Sequence, residues 1–195
     1  MALQETVIRD FWRQFLRNEE ALFAAGGPDG ELGALLEHVH PDLELDIGPA
    51  ASGKRDLVLS AGGIREAFPA VEALAEAAPP LPRWNVVRYR QRRPLGPSIA
   101  FQGLTLAPEN IRFELTRGEP GPGIVLYMPG YSRVEHSRYL ALALLALDAA
   151  LGEYDVELKL GSIAIESPGP EGGGRAETID RLAAVFDAAT HESRN

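Results

Sequence analysis

Histidines are the side chains of this sequence best suited to acid–base or metal chemistry, because it contains no cysteine. His38 and His40 occur in LEHVHPDLELD beside several carboxylates, and zinc accepts imidazole and carboxylate ligands. Residues two apart on a helix face different directions, however, and Pro41 ends the helix just after them. The spacing therefore predicts no metal site. It leaves His38 and His40 as candidate catalytic residues or as ordinary partners of a helix C-terminus.

A second group combines an acid, an imidazole and a hydroxyl at the start of a predicted helix: Glu135, His136 and Ser137. These residue types form the triad of serine hydrolases, but a triad is defined by geometry, and adjacent residues rarely point at one another. The sequence also lacks a Gly-x-Ser-x-Gly nucleophile turn. Two interpretations stay open. Glu135 and His136 are candidate catalytic residues of a hydrolase, or Ser137 or His136 caps the helix while Glu135 favours its positive end.

A run of arginines in RWNVVRYRQRR forms the candidate partner-binding group of this sequence: Arg83, Arg88, Arg90, Arg92 and Arg93. The alternative, which we favour, is an edge strand whose positive charge protects it against aggregation. The whole chain carries a formal net charge of -9, which repels a phosphate backbone at long range. We therefore expect no nucleic-acid partner.

Two glycine-containing segments resemble phosphate-binding loops. Residues 48–55, GPAASGKR, have the glycine spacing and a lysine, but Arg55 stands where a magnesium-binding hydroxyl is needed, and a strand follows instead of a helix. This segment predicts a hairpin turn. The triple glycine at 172–174 precedes a helix without a lysine–serine or lysine–threonine pair, so we predict a flexible connector there. The sequence thus predicts no cofactor.

Hydrophobic periodicity predicts the helix that opens the chain. Phe11 and Phe15 recur at a four-residue spacing, and Ile8, Trp12 and Leu16 widen the apolar stripe. A shorter helix follows after a glycine-rich break. A last amphipathic helix is predicted near the end of the chain.

The segments between these helices repeat one pattern twice. PDLELDIG and RDLVLSA predict a hairpin, and RWNVVRYR predicts a third strand. Between them a helix is predicted that either begins near Pro69 or is bent there. NIRFELTRG and GIVLYMPG predict another pair of strands, followed by a helix over residues 137–151 that is apolar nearly all round. YDVELKL and SIAIES then predict one long strand with Gly161 at an irregularity, which places Asp155 and Glu157 on one strand face.

The repeated order strand, strand, helix, strand predicts an α+β fold. We expect two such units, at about residues 41–92 and 109–167, either in a mixed and mainly antiparallel sheet with helices packed on it or in two adjacent sheets. An N-terminal and a C-terminal helix flank them. We expect all 195 residues to form a single domain, with the two halves as a pseudo-repeat.

Membrane insertion is not expected, since the longest apolar run, residues 139–147, is too short to span a bilayer. The charged, amphipathic start lacks the apolar core of a signal peptide, and the sequence offers no disulfide. These features favour a cytoplasmic protein.

Three phrases resemble an uncharacterised family of bacterial proteins: FWRQFLRNEE, LVLSAGGIREAFPAVEALAEAAPPLPRW and LGEYDVELKLGSIAIE. The resemblance covers residues 11–166. It implies a bacterial, cytoplasmic protein, and it supplies no activity, substrate or catalytic residue that could be carried over to this chain.

The sequence favours a non-catalytic binding or regulatory protein, because its polar residues form no catalytic pattern and its acidic helices accompany a basic strand. We expect the concave or edge surface of the sheet to bind an unidentified protein partner or a second copy. The alternative is a small hydrolase that uses His136, or the region of His38 and His40, with nearby carboxylates. A third hypothesis is a small-molecule sensor with a site between the halves.

Overall fold

The computed structural model describes residues 2–169 and 176–192 and divides into two compact units, Met1–Arg90 and Gln91–Asn195. The predicted connector glycines at 172–174 lie outside the described residues. The presence of both helices and strands confirms the predicted α+β class.

Three helices belong to the first unit: α1 (Ala2–Ala25), α2 (Gly30–Val39) and α3 (Phe68–Glu76). The apolar stripe of α1 is largely buried, as the periodicity predicts, and Phe11 and Phe15 lie fully inside the core. Asp29 caps α2 by accepting a hydrogen bond from an amide in its first turn. Pro69 lies in the first turn of α3, where its missing amide hydrogen leaves no helical bond unmade, so the predicted start of this helix is confirmed.

The first unit contains a three-stranded sheet of β1 (Glu44–Ile47), β2 (Arg55–Ser60) and β3 (Trp84–Arg88). The central strand, β2, pairs antiparallel with β1 and parallel with β3. The backbone torsion φ is 51° at Ser52 and 79° at Gly53, which two-residue hairpin turns require. The hairpin predicted for GPAASGKR is therefore confirmed.

The second unit contains a two-stranded hairpin of β4 (Ile99–Phe101) and β5 (Leu104–Leu106). Its main sheet has the order β8-β7-β6-β9 and is formed by β6 (Arg112–Thr116), β7 (Gly123–Tyr127), β8 (Ser162–Glu166) and β9 (Glu177–Thr178). Here β7 pairs antiparallel with β6 and parallel with β8.

Helices of the second unit are α4 (His136–Leu151), α5 (Glu153–Lys159) and α6 (Leu182–Glu192). The predicted apolar helix is confirmed as α4, which contributes much of the buried core of this unit. Gly152 has a φ of 81°, so it ends α4 with the positive torsion expected of a terminating glycine.

Each unit contains the predicted succession of strand, strand, helix and strand, interrupted in the second unit by the additional helix α5, and the second strand pairs with both others. Most of the strand pairs in the described part of the chain are antiparallel, as expected. The strands of the two units belong to separate sheets instead of one shared sheet. An internal duplication and a single 195-residue domain stay predictions.

One predicted strand is wrong: the segment YDVELKL forms the helix α5. The alternation of Val156, Leu158 and Leu160 imitates a strand, but glutamate and lysine are good helix formers and poor strand formers. An ion pair of 2.6 Å between Asp155 and Lys159 also supports the helix, because residues four apart are neighbours on its surface. Asp155 and Glu157 therefore do not share a strand face.

Candidate functional site

His38 and His40, the first predicted site residues, make local contacts at the end of α2. Nδ1 of the exposed His38 hydrogen-bonds the carbonyl oxygen of Ala34 at 2.6 Å, one turn earlier in the same helix. Nδ1 of His40 accepts a hydrogen bond from the amide of Asp42 at 3.3 Å and lies 3.7 Å from its carboxylate. Neither contact forms a metal site, and no group of three ligating residues suited to a metal ion occurs in residues 2–169 and 176–192.

His136 begins α4, and its closest polar partner is a tyrosine. The hydroxyl of Tyr131 lies 3.0 Å from Nδ1 of His136, while the carboxylate of Glu135 pairs with Arg138. The acid–imidazole contact of a hydrolase triad is thus replaced by a phenol–imidazole contact. A catalytic role of Glu135 and His136 stays a prediction.

The predicted capping of α4 by Ser137 or His136 is wrong. Glu135 occupies the N-cap position, and no side chain accepts a capping hydrogen bond there. A 3₁₀ turn, Arg133–Glu135, precedes the helix, and the carbonyl oxygen of Arg133 accepts the amide of His136. The turn therefore satisfies a backbone donor that a capping side chain would otherwise satisfy.

The arginines of the candidate partner-binding run are largely occupied by acids of their own unit. In the first unit the ion pairs are Arg83 with Glu19, Arg88 with Glu72, and Arg90 with Glu44 and Asp46. Arg83 directly precedes β3 and Arg88 is its last residue, and β3 is an edge strand of the described sheet. These pairs neutralise most of the positive charge that the sequence displays.

Arg92 and Arg93 belong to the second unit and differ from one another. Arg92 donates to Asp187 at 2.8 Å and to Asp155 at 2.7 Å, and it also binds the carbonyl oxygen of Leu151. The hydrogen bond from Arg92 lowers the pKa of the Asp187 carboxyl. Arg93 is exposed, and partner binding by the run as a whole stays a prediction.

An apolar groove between α1 and α3 is the candidate site that the sequence reasoning missed. It has a volume of about 680 Å³, and its interior is lined by apolar side chains of α1, of α3 and of the segment that follows α3: Ile8, Trp12, Leu16, Ala73, Ala77 and Pro79. Leu16 is 50% exposed although it belongs to the apolar stripe of α1. We call this feature the α1–α3 groove.

Trp12 fixes the floor of the α1–α3 groove. Its indole Nε1 donates a hydrogen bond of 2.9 Å to the carbonyl oxygen of Leu74, in the last turn of α3. Carbonyl oxygens in the last turn of a helix lack their usual amide donor. The amide of Ala78, four residues after Leu74, donates to the carbonyl oxygen of Ala75 instead. The indole therefore links α1 to α3 and satisfies a buried acceptor.

Charged side chains stand at the rim of the α1–α3 groove. Glu5, Arg9 and Arg13 follow one edge of α1 at a four-residue spacing, and Glu76 lies on the α3 side. An apolar interior inside a charged rim is the usual anatomy of a protein-binding surface. The wide apolar stripe of α1 was the signal in the sequence, since Leu16 extends it beyond what the core covers.

A second cavity of about 780 Å³ lies in the second unit, beside the loop between β6 and β7. Arg117, Glu119 and Lys159 line it together with other residues of the loop and with apolar residues that include Leu115 and Leu158. Lys159 is paired with Asp155, so its charge is already matched. The lining thus mixes charges of both signs with apolar residues such as Leu115 and Leu158, and this mixture favours no single class of ligand.

No protein-family model, curated protein or solved structure matches this chain. The resemblance to an uncharacterised bacterial family therefore stays a prediction. The fold and the α1–α3 groove of this chain define an α+β protein with an apolar groove between two helices on its surface.

Proposed function

We propose that this chain is a non-catalytic binding protein whose α1–α3 groove holds an apolar segment of a protein. The observation that carries the proposal is the contiguous apolar lining around Leu16, which is half exposed to solvent. Single exposed leucines are ordinary in soluble proteins, but a continuous apolar surface rimmed by charges marks an interaction site. The groove replaces the sheet surface that the sequence favoured as the binding surface.

The chemistry of the groove favours a protein segment over a small polar ligand. Small-ligand sites combine an apolar lining with a few convergent polar groups that fix the ligand. The polar indole nitrogen of Trp12 is already bound to Leu74, and the charges stand at the rim instead of the floor. An apolar side chain inserted between α1 and α3 would match this arrangement.

The bacterial cytoplasm is the proposed setting. The support is the cysteine-free composition. The net charge of -9 disfavours nucleic acid as a partner. No helix within the described ranges has the length and apolar character needed to cross a membrane.

Site-specific photo-crosslinking tests the proposal. A benzophenone amino acid at position 16 reports on contacts inside the groove, and the same residue at position 21 is the matched control on an exposed position of α1 outside it. Irradiation of cells that natively make the protein is expected to give a discrete protein adduct from position 16 and not from position 21. An adduct from neither position, or the same adducts from both, would refute the proposal.

The alternative is a hydrolase that uses His136, and one contact favours it. The hydroxyl of Tyr131 binds Nδ1 of the imidazole at 3.0 Å. In a hydrolase, His136 would then exchange protons with the substrate through its other ring nitrogen, Nε2. Substitution His136→Gln separates the two functions. The binding proposal expects an unchanged adduct from position 16, because this histidine is not part of the groove.

A further inference from the structure

We propose that the occupant of the α1–α3 groove is a second copy of this chain, in a two-fold symmetric dimer. The inference rests on the proposed function and names its partner. In such a dimer each copy presents Leu16 to the groove of the other, so that one surface is both donor and acceptor of the contact.

The charged residues at the rim of the groove in one copy are complementary to those at the rim in a second copy. Arg9 and Arg13 outnumber Glu5 on the α1 side of the groove, and Glu76 lies on the α3 side. A two-fold axis through the groove can place the basic side of each copy opposite the acidic side of the other. A strongly basic or strongly acidic partner would meet a like charge on one of the two sides.

The rim charges are also available for contacts between copies. Arg9 and Glu5 are exposed and make no ion pair within residues 2–169 and 176–192. The side chain of Glu76 is 70% exposed and lies 4.0 Å from Arg88, at the limit of an ion pair. Arg13 pairs with Asp10 at 2.9 Å, so Arg9 and Glu76 are the better pair.

Leu16 supplies the apolar part of the contact. Half of its side chain is exposed on α1, and the α1–α3 groove beside it is lined by apolar atoms of a matching kind. Two reciprocal insertions would remove both leucines and both groove linings from water. The net charge of -9 opposes association at long range, and salt near physiological strength screens that repulsion.

Sedimentation equilibrium of the purified chain tests the dimer over roughly 1–300 µM, a range that covers a micromolar Kd. We expect a reversible dimer whose Kd rises about tenfold with Arg9→Glu and with Glu76→Arg, because each change sets like charges opposite one another. The double variant Arg9→Glu/Glu76→Arg is expected to restore the Kd to within about threefold, since it reverses both sides of the contact. Leu16→Glu is expected to leave only monomer.

Two substitutions on α1 outside the groove serve as matched controls: Arg17→Glu and Ala21→Glu. Both are expected to leave the Kd unchanged, and circular dichroism verifies that every variant is folded. A wild-type monomer throughout the concentration range would overturn the dimer. So would a dimer that ignores Leu16→Glu, or a double variant no tighter than its single parents.

The crosslink from position 16 separates this inference from the proposed function. A product of twice the chain mass, identified as self by mass spectrometry, supports both. An adduct with a different protein, together with a monomer in solution, overturns the dimer and leaves the binding function standing. Absence of any adduct specific to position 16 overturns both.

Discussion

Replacement of Trp12 by phenylalanine is expected to destabilise the first unit markedly, because the indole both fills the core and satisfies a backbone acceptor. The side chain is 4% exposed, and its Nε1 donates to the carbonyl oxygen of Leu74 at 2.9 Å. Trp12→Phe removes this donor from the last turn of α3. The Leu74 carbonyl is then left buried without the partner that it has in the wild-type protein.

Two contributions set the size of the effect. The smaller ring leaves a void of roughly 40 Å³, and about 24 cal/mol per Å³ of cavity gives about 1 kcal/mol. A buried acceptor without its hydrogen bond costs about 1–3 kcal/mol more. Trp12→Phe should therefore lower the free energy of unfolding of the first unit by about 2–4 kcal/mol.

Trp84 offers a matched control, since it is also 4% exposed. Its indole donates at 2.9 Å to the carboxylate of Glu19, which is partly exposed and also bound by Arg83. After Trp84→Phe this carboxylate keeps Arg83 and can regain water, so the cavity term of about 1 kcal/mol should dominate. Urea unfolding followed by far-UV circular dichroism measures both variants. Equal losses for the two variants would refute the argument from the orphaned Leu74 carbonyl.

Two further predictions concern the second unit and a control in the first. A Cβ on Gly121 would overlap the backbone carbonyl oxygen of Lys159, so Gly121→Ala should lower the free energy of unfolding in urea by about 3 kcal/mol. Gly27 has open space around it, so Gly27→Ala should leave this free energy unchanged or raise it by up to about 1 kcal/mol. Similar values for the two alanines would contradict this packing. Arg92 lowers the pKa of Asp187, so this pair stabilises the fold above the unfolded pKa of about 4, and the contribution is lost as the pH falls through the folded pKa. The loss caused by Arg92→Gln should thus shrink on acidification, and a pH-independent loss would exclude the ion pair as its cause; because Asp187 is 46% exposed, the effect should be modest.

Much of the fold could be predicted because burial imposes a period on the sequence. Leu43 and Leu45 lie on the buried face at the start of the first hairpin, and Phe113 and Ile111 do so in the second unit. Local turn chemistry was equally readable, as the positive φ of Gly53 shows in the hairpin turn between β1 and β2. These signals are local, and each is carried by a few neighbouring residues.

The helix α5 could not be predicted from the same alternation. Its segment is only seven residues long, and over that length a period of two and a period of 3.6 share several positions. The choice depends on Gly152, which turns the chain directly from α4 into α5, and on the ion pair between Asp155 and Lys159. Asp155 and Glu157, which the alternation places on one face of a strand, therefore lie in a helix and do not form an acidic pair on a strand face.

The candidate site was missed because it depends on which surface stays uncovered, and a sequence does not display that directly. The apolar width of α1 was visible, but whether α3 or another element covers Leu16 is decided by packing between segments more than 50 residues apart along the chain. The arginine run illustrates the opposite case. It is conspicuous in sequence, yet Arg88, Arg90 and Arg92 are matched by acids that come from distant segments.

The two units solve the same packing problem differently, and this difference explains why a groove exists. In the second unit α4 is long and apolar nearly all round, and apolar residues of the hairpin β4–β5, among them Ile99, Phe101 and Leu104, pack against the core that it forms. In the first unit α3 has only nine residues, and the described residues of Met1–Arg90 form no second sheet beside the three-stranded one. Trp12 of the long helix α1 packs against α3 and covers part of its apolar surface. The apolar atoms that Trp12 does not cover form the α1–α3 groove. A groove with this origin is a gap in the unit's own covering, and a second copy that inserts Leu16 would complete it.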